Sequence, residues 1–512
     1  MSIGTAVVVF AAVYLAICFG LSMYAAKKST ETSQKDFYVA GGSLGTFVLF
    51  LTSLATAFSA FAFQGQLGQT YNIGISAIFN FFGYGILSYP LFLLLGSKLW
   101  YFGKRYGYIT PADFIADRYE SNKAARILVG LIIGIYFSIF YIVIQIKACS
   151  WVLLEATGMS APLATLIIAG ILAFYVAKGG MRAVAYVDVV QALFLLVGSA
   201  VIVGSMIYYN GGVEQLFSKA IAARPDTFAP KGNMLATMSS GLVMWLSMPL
   251  WPVLWTKYYC AKNIATLHGV ATGSGLGTVL VTVSFPLFIV AGLAIVFPNA
   301  SPATADNLVI RYILDYTNPV VASCVVGGLL SAAMSTAGGL LLLISSIITQ
   351  DLPKVLSEEK RQNISEVKLV RFGKIMVFVV LIVSYGISLL PLGQLVAVGT
   401  QLAYPGYLMA VPAVIGGLWW KRGNGQGMVW SLIIGLIVVY VTTYIVRNPL
   451  NLHSGIWGLL AASIIYIAVS LVTKPNSQET LARFGLAEGQ WADGDNLSAL
   501  EYAQKCMQQR EE

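Results

Sequence analysis

Apolar runs long enough to cross a bilayer follow one another along almost the whole chain, separated by short polar connectors. A helix of about 20 apolar residues spans the hydrocarbon core. On that measure the pattern predicts about 13 spans, over residues 3–26, 43–69, 74–101, 124–156, 160–178, 184–209, 233–257, 267–297, 319–349, 369–391, 393–419, 424–446 and 454–473. In lipid every backbone polar group must be satisfied within the chain, so such runs are helices. The expected fold class is therefore an all-α polytopic membrane protein. A single transmembrane domain would cover 1–473, followed by a solvated cytoplasmic tail over 474–512. Within that tail, Leu497, Leu500 and Ala503 fall at helical spacing and mark an amphipathic segment from Asn496 to Gln509. The first run has no basic stretch before it and is long for a signal peptide, so it reads as a retained helix.

Two runs look interrupted. The second has a small and hydroxyl-rich middle (Ser53, Ala55, Thr56, Ala57, Ser59, Ala60) followed by Gly65 and Gly68. The seventh carries Pro249 and Pro252 in mid-span, each of which frees a carbonyl four residues back. Broken helices at corresponding places in two halves point to a transport site near the bilayer midplane. The two runs are five apart, so 43–209 and 233–419 read as a pair of inverted five-helix repeats. The ninth run adds two neighbouring hydroxyls, Ser335 and Thr336, among Ala332, Ala333, Ala337, Gly338 and Gly339. Polar groups in hydrocarbon need partners. These two can bond back to a carbonyl one turn earlier on a helix-packing face. With the Ala332 carbonyl they can also present three hard oxygens to an alkali cation. The residues alone leave both readings open.

Composition sharpens the class. The chain is 57% hydrophobic and 10% charged, against about 25% charged in soluble domains. With the N-terminus outside, 25 of the 31 Lys and Arg residues fall on the inner side. Five (Lys219, Arg224, Lys231, Arg311, Arg447) fall outside, and Lys147 lies within a run. The positive-inside rule thus predicts N-terminus out and C-terminus in. The net charge of +9 is scattered between spans and does not imply nucleic-acid binding. Five widely separated cysteines form no disulfide or metal-ligand pattern. No P-loop is present, which removes ATP as the energy source. Only Lys147 and Asp188 stand out as charges at membrane depth, too few for an integral-membrane enzyme. A central lysine costs roughly 2.5–3.5 kcal/mol to insert. Lys147 would snorkel, pair with a buried acid, or serve as counter-charge to a carboxylate substrate. Asp188, near the inner start of the sixth run, reads as a charge favoured by a helix N-terminus.

Five stretches then carry a resemblance: DFYVAGGSLG (36–45), GGMRAVAYVDVVQ (179–191), AAMSTAGGL (332–340), ITQDL (348–352) and GLWWKRGNGQG (417–427). In this order the sequence resembles the sodium:solute symporter family. The resemblance implies a LeuT-like core of two inverted repeats and sodium-driven uptake by alternating access, at the cell inner (plasma) membrane. It places a sodium site on the carbonyls of Ala55, Phe58 and Ala332 and the hydroxyls of Ser335 and Thr336, with Asp188 near the inner sodium exit. Family members with a second sodium use two further hydroxyls one turn along. Gly338 and Gly339 stand there, so a single sodium is expected. Candidate substrate contacts are Lys147, Gln64, Trp245, Met248 and Pro252. Pro252 matches a proline of proline and pantothenate carriers. However, Met244 and Met248 replace aromatic residues of the proline carriers, and Ala57 stands where those have an aspartate. The expected cargo is a small carboxylate such as pantothenate or a monocarboxylate, with sodium as coupling ion and no other cofactor. An amino-acid or sugar cargo, proton-coupled or uncoupled transport, a transporter-like sensor and a small membrane or cytoplasmic partner stay open.

Overall fold

A computed structural model describes residues 2–27, 33–86, 88–120, 122–356, 364–391 and 395–486. Among these residues nine helices are long and apolar enough to cross a membrane, or ten when the bent pair Thr46–Ala57 and Phe61–Ile73 counts as one span. One of the nine, Ala161–Asn210, has 50 residues. At 1.5 Å per residue it would be about 75 Å long, more than twice the hydrocarbon core. Its helical dihedrals fail at Gly180 (φ 58°, ψ −151°), which divides it into the two runs expected at 160–178 and 184–209. Only glycine fits there: a Cβ would meet the Phe37 carbonyl at 2.4 Å. The expected runs 74–101 and 369–391 are helical too, as Ser76–Ile86, Ser88–Tyr106 and Glu366–Ser388, but they are split or carry several charges.

Pro319–Leu356 is the central helix, almost wholly buried. It packs along the second half of Ala161–Asn210 through small residues. A Cβ on Gly198 would lie 2.8 Å from the Cys324 carbonyl and 3.1 Å from the Gly328 Cα, the close approach that small residues permit in lipid. The same helix crosses the first interrupted span.

Both expected interruptions are present. Thr46–Ala57 ends at Phe58 (φ −87°, ψ 76°), and the chain re-enters a helix through a π turn, Phe61–Gly65, bent by 51°. No proline causes this break. Side chains of the helix Phe137–Thr157 hold it open: Gln145 Oε1 accepts from the Ala60 N–H at 2.9 Å, and Tyr141 meets the Ser59 hydroxyl at 3.0 Å. The second interruption separates Met234–Ser247 from Pro252–Cys260 through a 3-10 turn, Met248–Leu250. There Trp251 is extended (ψ 119°), as a residue before proline prefers. A parallel bridge, Leu44 to Ala261, ties the start of the first interrupted span to the end of the second. The start of the tail, 474–486, is packed rather than solvated. Phe484 is buried 4.8 Å from Phe102, Arg483 pairs with Asp117 at 2.8 Å, and Asn476 donates to the Arg118 carbonyl at 2.9 Å. The amphipathic segment expected at 496–509 lies outside the described residues.

Candidate cation site between the first broken helix and the central helix

Where Thr46–Ala57 stops, its last carbonyls lose their helical N–H partners and carry the negative end of the helix dipole. The hydroxyls of the central helix meet them. Ser335 Oγ donates to the Ala55 carbonyl at 2.7 Å and Thr336 Oγ1 to the Thr56 carbonyl at 2.8 Å. Both hydroxyls also lie 3.3 Å from the Ala332 carbonyl. All five residues are buried. The back-bond to Ala332 and the cross-helix contact therefore coexist. Three carbonyl and two hydroxyl oxygens converge, and none carries a full charge, which suits a weakly held alkali ion. Of the expected ligands, Ala55, Ala332, Ser335 and Thr336 come together. Phe58 lies buried at the end of the same turn, but Thr56 is the residue whose carbonyl takes the Thr336 hydroxyl.

Next to this cluster lies a residue that sequence reasoning did not single out. Lys257, in Pro252–Cys260, is 1% exposed. Its ammonium donates to the Thr52 carbonyl at 2.5 Å, the Thr52 hydroxyl at 2.8 Å and the Thr56 hydroxyl at 2.5 Å. It pairs with Asp188 Oδ2 at 3.5 Å. Asp188 is fully buried. Its Oδ2 also accepts from the Thr52 hydroxyl, and its Oδ1 has no hydrogen-bond partner among the described residues. Asp188 thus sits eight residues past the Gly180 break, beside the last turns of Thr46–Ala57, rather than capping a helix start. A signal for Lys257 was present: it stands between Trp255 and Tyr258–Tyr259, with no charge beside it.

Gly338 and Gly339 have their neighbouring space filled. A Cβ on Gly338 would lie 2.4 Å from the Tyr175 hydroxyl, which donates to the Met334 carbonyl at 2.9 Å. A Cβ on Gly339 would lie 2.7 Å from Val253 Cγ2.

The substrate candidates are scattered. Met248 and Pro249 line a small cavity with Ser53, Ala57 and Ser274. Pro252 opens the helix after the break. Gln64 is buried in the π turn, its side-chain oxygen without a hydrogen-bond partner among the described residues. Trp245 donates to the Asn80 carbonyl at 2.7 Å, toward a recess that holds Asn80, Gln69 and His453. Lys147 does not join them. Its ammonium reaches the Leu390 carbonyl at 3.4 Å, just past the end of Glu366–Ser388. That contact satisfies a helix terminus, the arrangement a cation at a C-terminus favours. The groups that do meet at the first break were not foreseen: Ser59, Tyr141 and Tyr404 form a chain of hydroxyls at 3.0 and 3.1 Å, with the Trp251 ring 4.9 Å from that of Tyr141.

Two interrupted spans around a cluster of neutral oxygens define a secondary transporter with a LeuT-like core. Known structures agree. The chain superposes on a Na+-coupled sialic acid symporter in its substrate-bound outward-open state with a TM-score of 0.78, at 19% identity, over 93% of this chain and 99% of that one. It also superposes on Mhp1, a nucleobase-cation-symport-1 family transporter, at 0.59 and 15% identity, over 92% and 99%. The profile of the sodium:solute symporter family matches residues 37–435, and the chain belongs to that family. Its relatives include the osmoregulated proline transporter OpuE of Bacillus subtilis (strain 168), 25% identical over 94% of this chain and 98% of the relative. The sodium/pantothenate symporter of Haemophilus influenzae is 26% identical over 88% and 93%. The chain is thus a multi-pass inner-membrane transporter rather than an enzyme, and sodium is its coupling ion.

Proposed function

We propose that this protein imports a small carboxylate together with one sodium ion per cycle, from the N-terminal side of the membrane to the C-terminal side. The observation that carries the proposal is the pair of contacts from Ser335 and Thr336 to the Ala55 and Thr56 carbonyls. They join a hydroxyl-bearing helix to a broken one, so that an ion bound between them would couple the two parts. The Phe58 carbonyl would enter as a further ligand by a small turn of the backbone at the break. A single sodium is supported by Tyr175 and Val253 filling the space beside Gly338 and Gly339. Each ion driven across contributes about 2.3 kcal/mol per 100 mV of membrane potential, so one ion sets a lower attainable gradient than two.

The carboxylate cargo is supported by two observations. Relatives are named for proline and for pantothenate, both of which carry a carboxylate. At the first break the hydroxyls of Ser59, Tyr141 and Tyr404, beside Trp251, supply donors and apolar surface with no acid among them. These groups take the recognition role first considered for Lys147. Met248 and Pro252 border the second break, Gln64 lies in the π turn after the first, and Trp245 bonds to Asn80 of the Gln69–Asn80 recess. Met244, Met248 and Ala57 favour pantothenate or a monocarboxylate over proline. Asp188 lies on the path by which sodium would leave. The thirteen-span topology, the repeats over 43–209 and 233–419, and the inner position of the tail belong to the same proposal.

Uptake by reconstituted proteoliposomes, with sodium replaced by choline at fixed pH, tests the coupling. Uptake should fall to background without sodium, and undiminished uptake overturns it. A thermal-shift screen of carboxylates, amino acids and sugars, with and without sodium, identifies the cargo. Stabilisation by a sugar alone would overturn the carboxylate reading.

A further inference from the structure

A buried lysine with three neutral oxygens and one carboxylate around its ammonium is itself a cation in a cation site. Around Lys257 Nζ stand the Thr52 carbonyl, the Thr52 hydroxyl, the Thr56 hydroxyl and Asp188 Oδ2, at 2.5, 2.8, 2.5 and 3.5 Å. These are the hard oxygens that bind alkali ions, and here they include a full negative charge. Asp188 Oδ1 is buried and has no hydrogen-bond partner among the described residues, so the carboxylate has ligand capacity to spare. The cradle shares Thr56 with the sodium cluster: its carbonyl accepts from Thr336 and its hydroxyl from Lys257. Two cation positions therefore lie side by side along the last two turns of Thr46–Ala57. One is lined by neutral oxygens alone, and the other contains the chain's own ammonium.

We infer that Lys257 is a tethered cation occupying a second alkali-ion site formed by Thr52, Thr56 and Asp188, and that it thereby sets the number of sodium ions bound at one. The inference deepens the sodium reading above and rests on it. Removing one partner of a buried pair leaves an uncompensated charge, which the protein must neutralise. With Lys257 shortened, Asp188 would face Thr52 and Thr56 across the space the ammonium left, and sodium would enter it. The lysine also explains how a chain lacking hydroxyls at Gly338 and Gly339 keeps Asp188 in its interior: the charge is balanced from the Pro252–Cys260 helix instead.

The test uses sodium alone, so the cargo need not be known. Full-length protein in nanodiscs at pH 8 is titrated with 22Na+ in a scintillation-proximity assay. In parallel, the melting temperature is followed against the logarithm of sodium concentration, whose slope reports the number of ions bound. Wild type should bind one sodium. K257A should bind two, with about twice the melting slope, and K257R should bind one. The double variant K257A/D188N should return to one, because the added site has lost its charge. K257Q, one atom shorter than lysine, keeps a hydrogen-bond donor without the charge, and reports the same count if K257A does not yield monodisperse protein. If both neutral variants bind one sodium, a proton has neutralised Asp188 in place of sodium and the inference is overturned. A wild type that binds no sodium would overturn the sodium reading itself, which keeps the two failures apart.

Discussion

Two places among the described residues where opposite charges are buried against each other differ in the company the charges keep. In the interior, Lys257 faces one acid, and its other partners are threonine oxygens. At the face bearing the Pro111–Arg118 helix, two acids and two bases join in one network. Asp113 takes Arg126 at 2.8 Å and Lys354 at 2.5 Å, and Arg126 also reaches Asp351 at 2.5 Å. There Thr110 and Asp113 form a capping box, so the same carboxylate starts a helix and holds two bases. The network ties the Pro111–Arg118 helix to the start of one span and the end of the central helix. It opens to a recess of about 790 Å³ lined by Lys35, Asp113, Arg126 and Lys354. In the network Asp113 and Arg126 each hold two partners of opposite charge, so losing one acid leaves two bases short of a partner. Lys257 and Asp188 hold only each other among charges, with threonine oxygens around them, which suits that pair to neutralising a fixed site.

The largest expected effect comes from breaking the network. Asp113→Asn leaves Arg126 and Lys354 sharing Asp351, and stability should fall by about 3–5 kcal/mol, read as a lowered melting temperature in detergent. Asp188→Asn, where only one base is left over, should act through sodium binding more than through stability. Equal melting losses for the two variants would erase the distinction drawn here.

A third carboxylate sharpens it. Asp306, in the short turn Pro302–Asn307, is buried, and the Leu395 N–H is the only hydrogen-bond partner described for it. Burial pushes its pKa up to about 6, against the opposing Leu395 N–H. A raised carboxyl pKa means that the folded state holds the proton more tightly than the unfolded one. Stability should therefore rise as pH falls from about 6 to about 4, by at most about 3 kcal/mol. Asp113 behaves oppositely. Burial alone would raise its pKa, but Lys354 and Arg126 outweigh that and hold it well below the usual carboxylate range. Its contribution is present above about pH 4 and is lost as pH falls further. Melting temperatures from pH 7 to 3 should rise and then fall. Asp306→Asn should shrink the first limb and leave the second; an unchanged first limb would show that Asp306 does not contribute to it.

A smaller free-energy change is expected at the sodium cluster. Ser335→Ala and Thr336→Ala should each weaken sodium activation of uptake about ten- to a hundredfold, or about 1.4–2.8 kcal/mol, with little change in melting temperature without sodium. The smallest effect belongs to Lys147→Gln. Its ammonium meets a helix-end carbonyl, so substrate affinity should change less than about twofold. A tenfold loss would return Lys147 to the substrate site.

Legibility in the sequence followed range along the chain. The apolar runs, the prolines of the second break and the adjacent hydroxyls Ser335 and Thr336 are local patterns, and each could be read from its own stretch. The break after Ala57 was visible only as an excess of small and hydroxyl residues, because its cause is a glutamine and a tyrosine from another helix. Lys257 was not singled out because a lysine near the end of an apolar run looks the same whether it turns to water or back into the bundle.

The sequence by itself determined the class, the family and the adjacent hydroxyls Ser335 and Thr336 of the proposed cation site, because hydrophobicity, proline and motif order act over neighbouring residues. Only the tertiary structure decided that Thr56 joins Ala55 at that site, that Lys257 meets Asp188, and that Lys147 caps a distant helix. Those outcomes depend on which faces of separate helices are pressed together once no water is left to satisfy them.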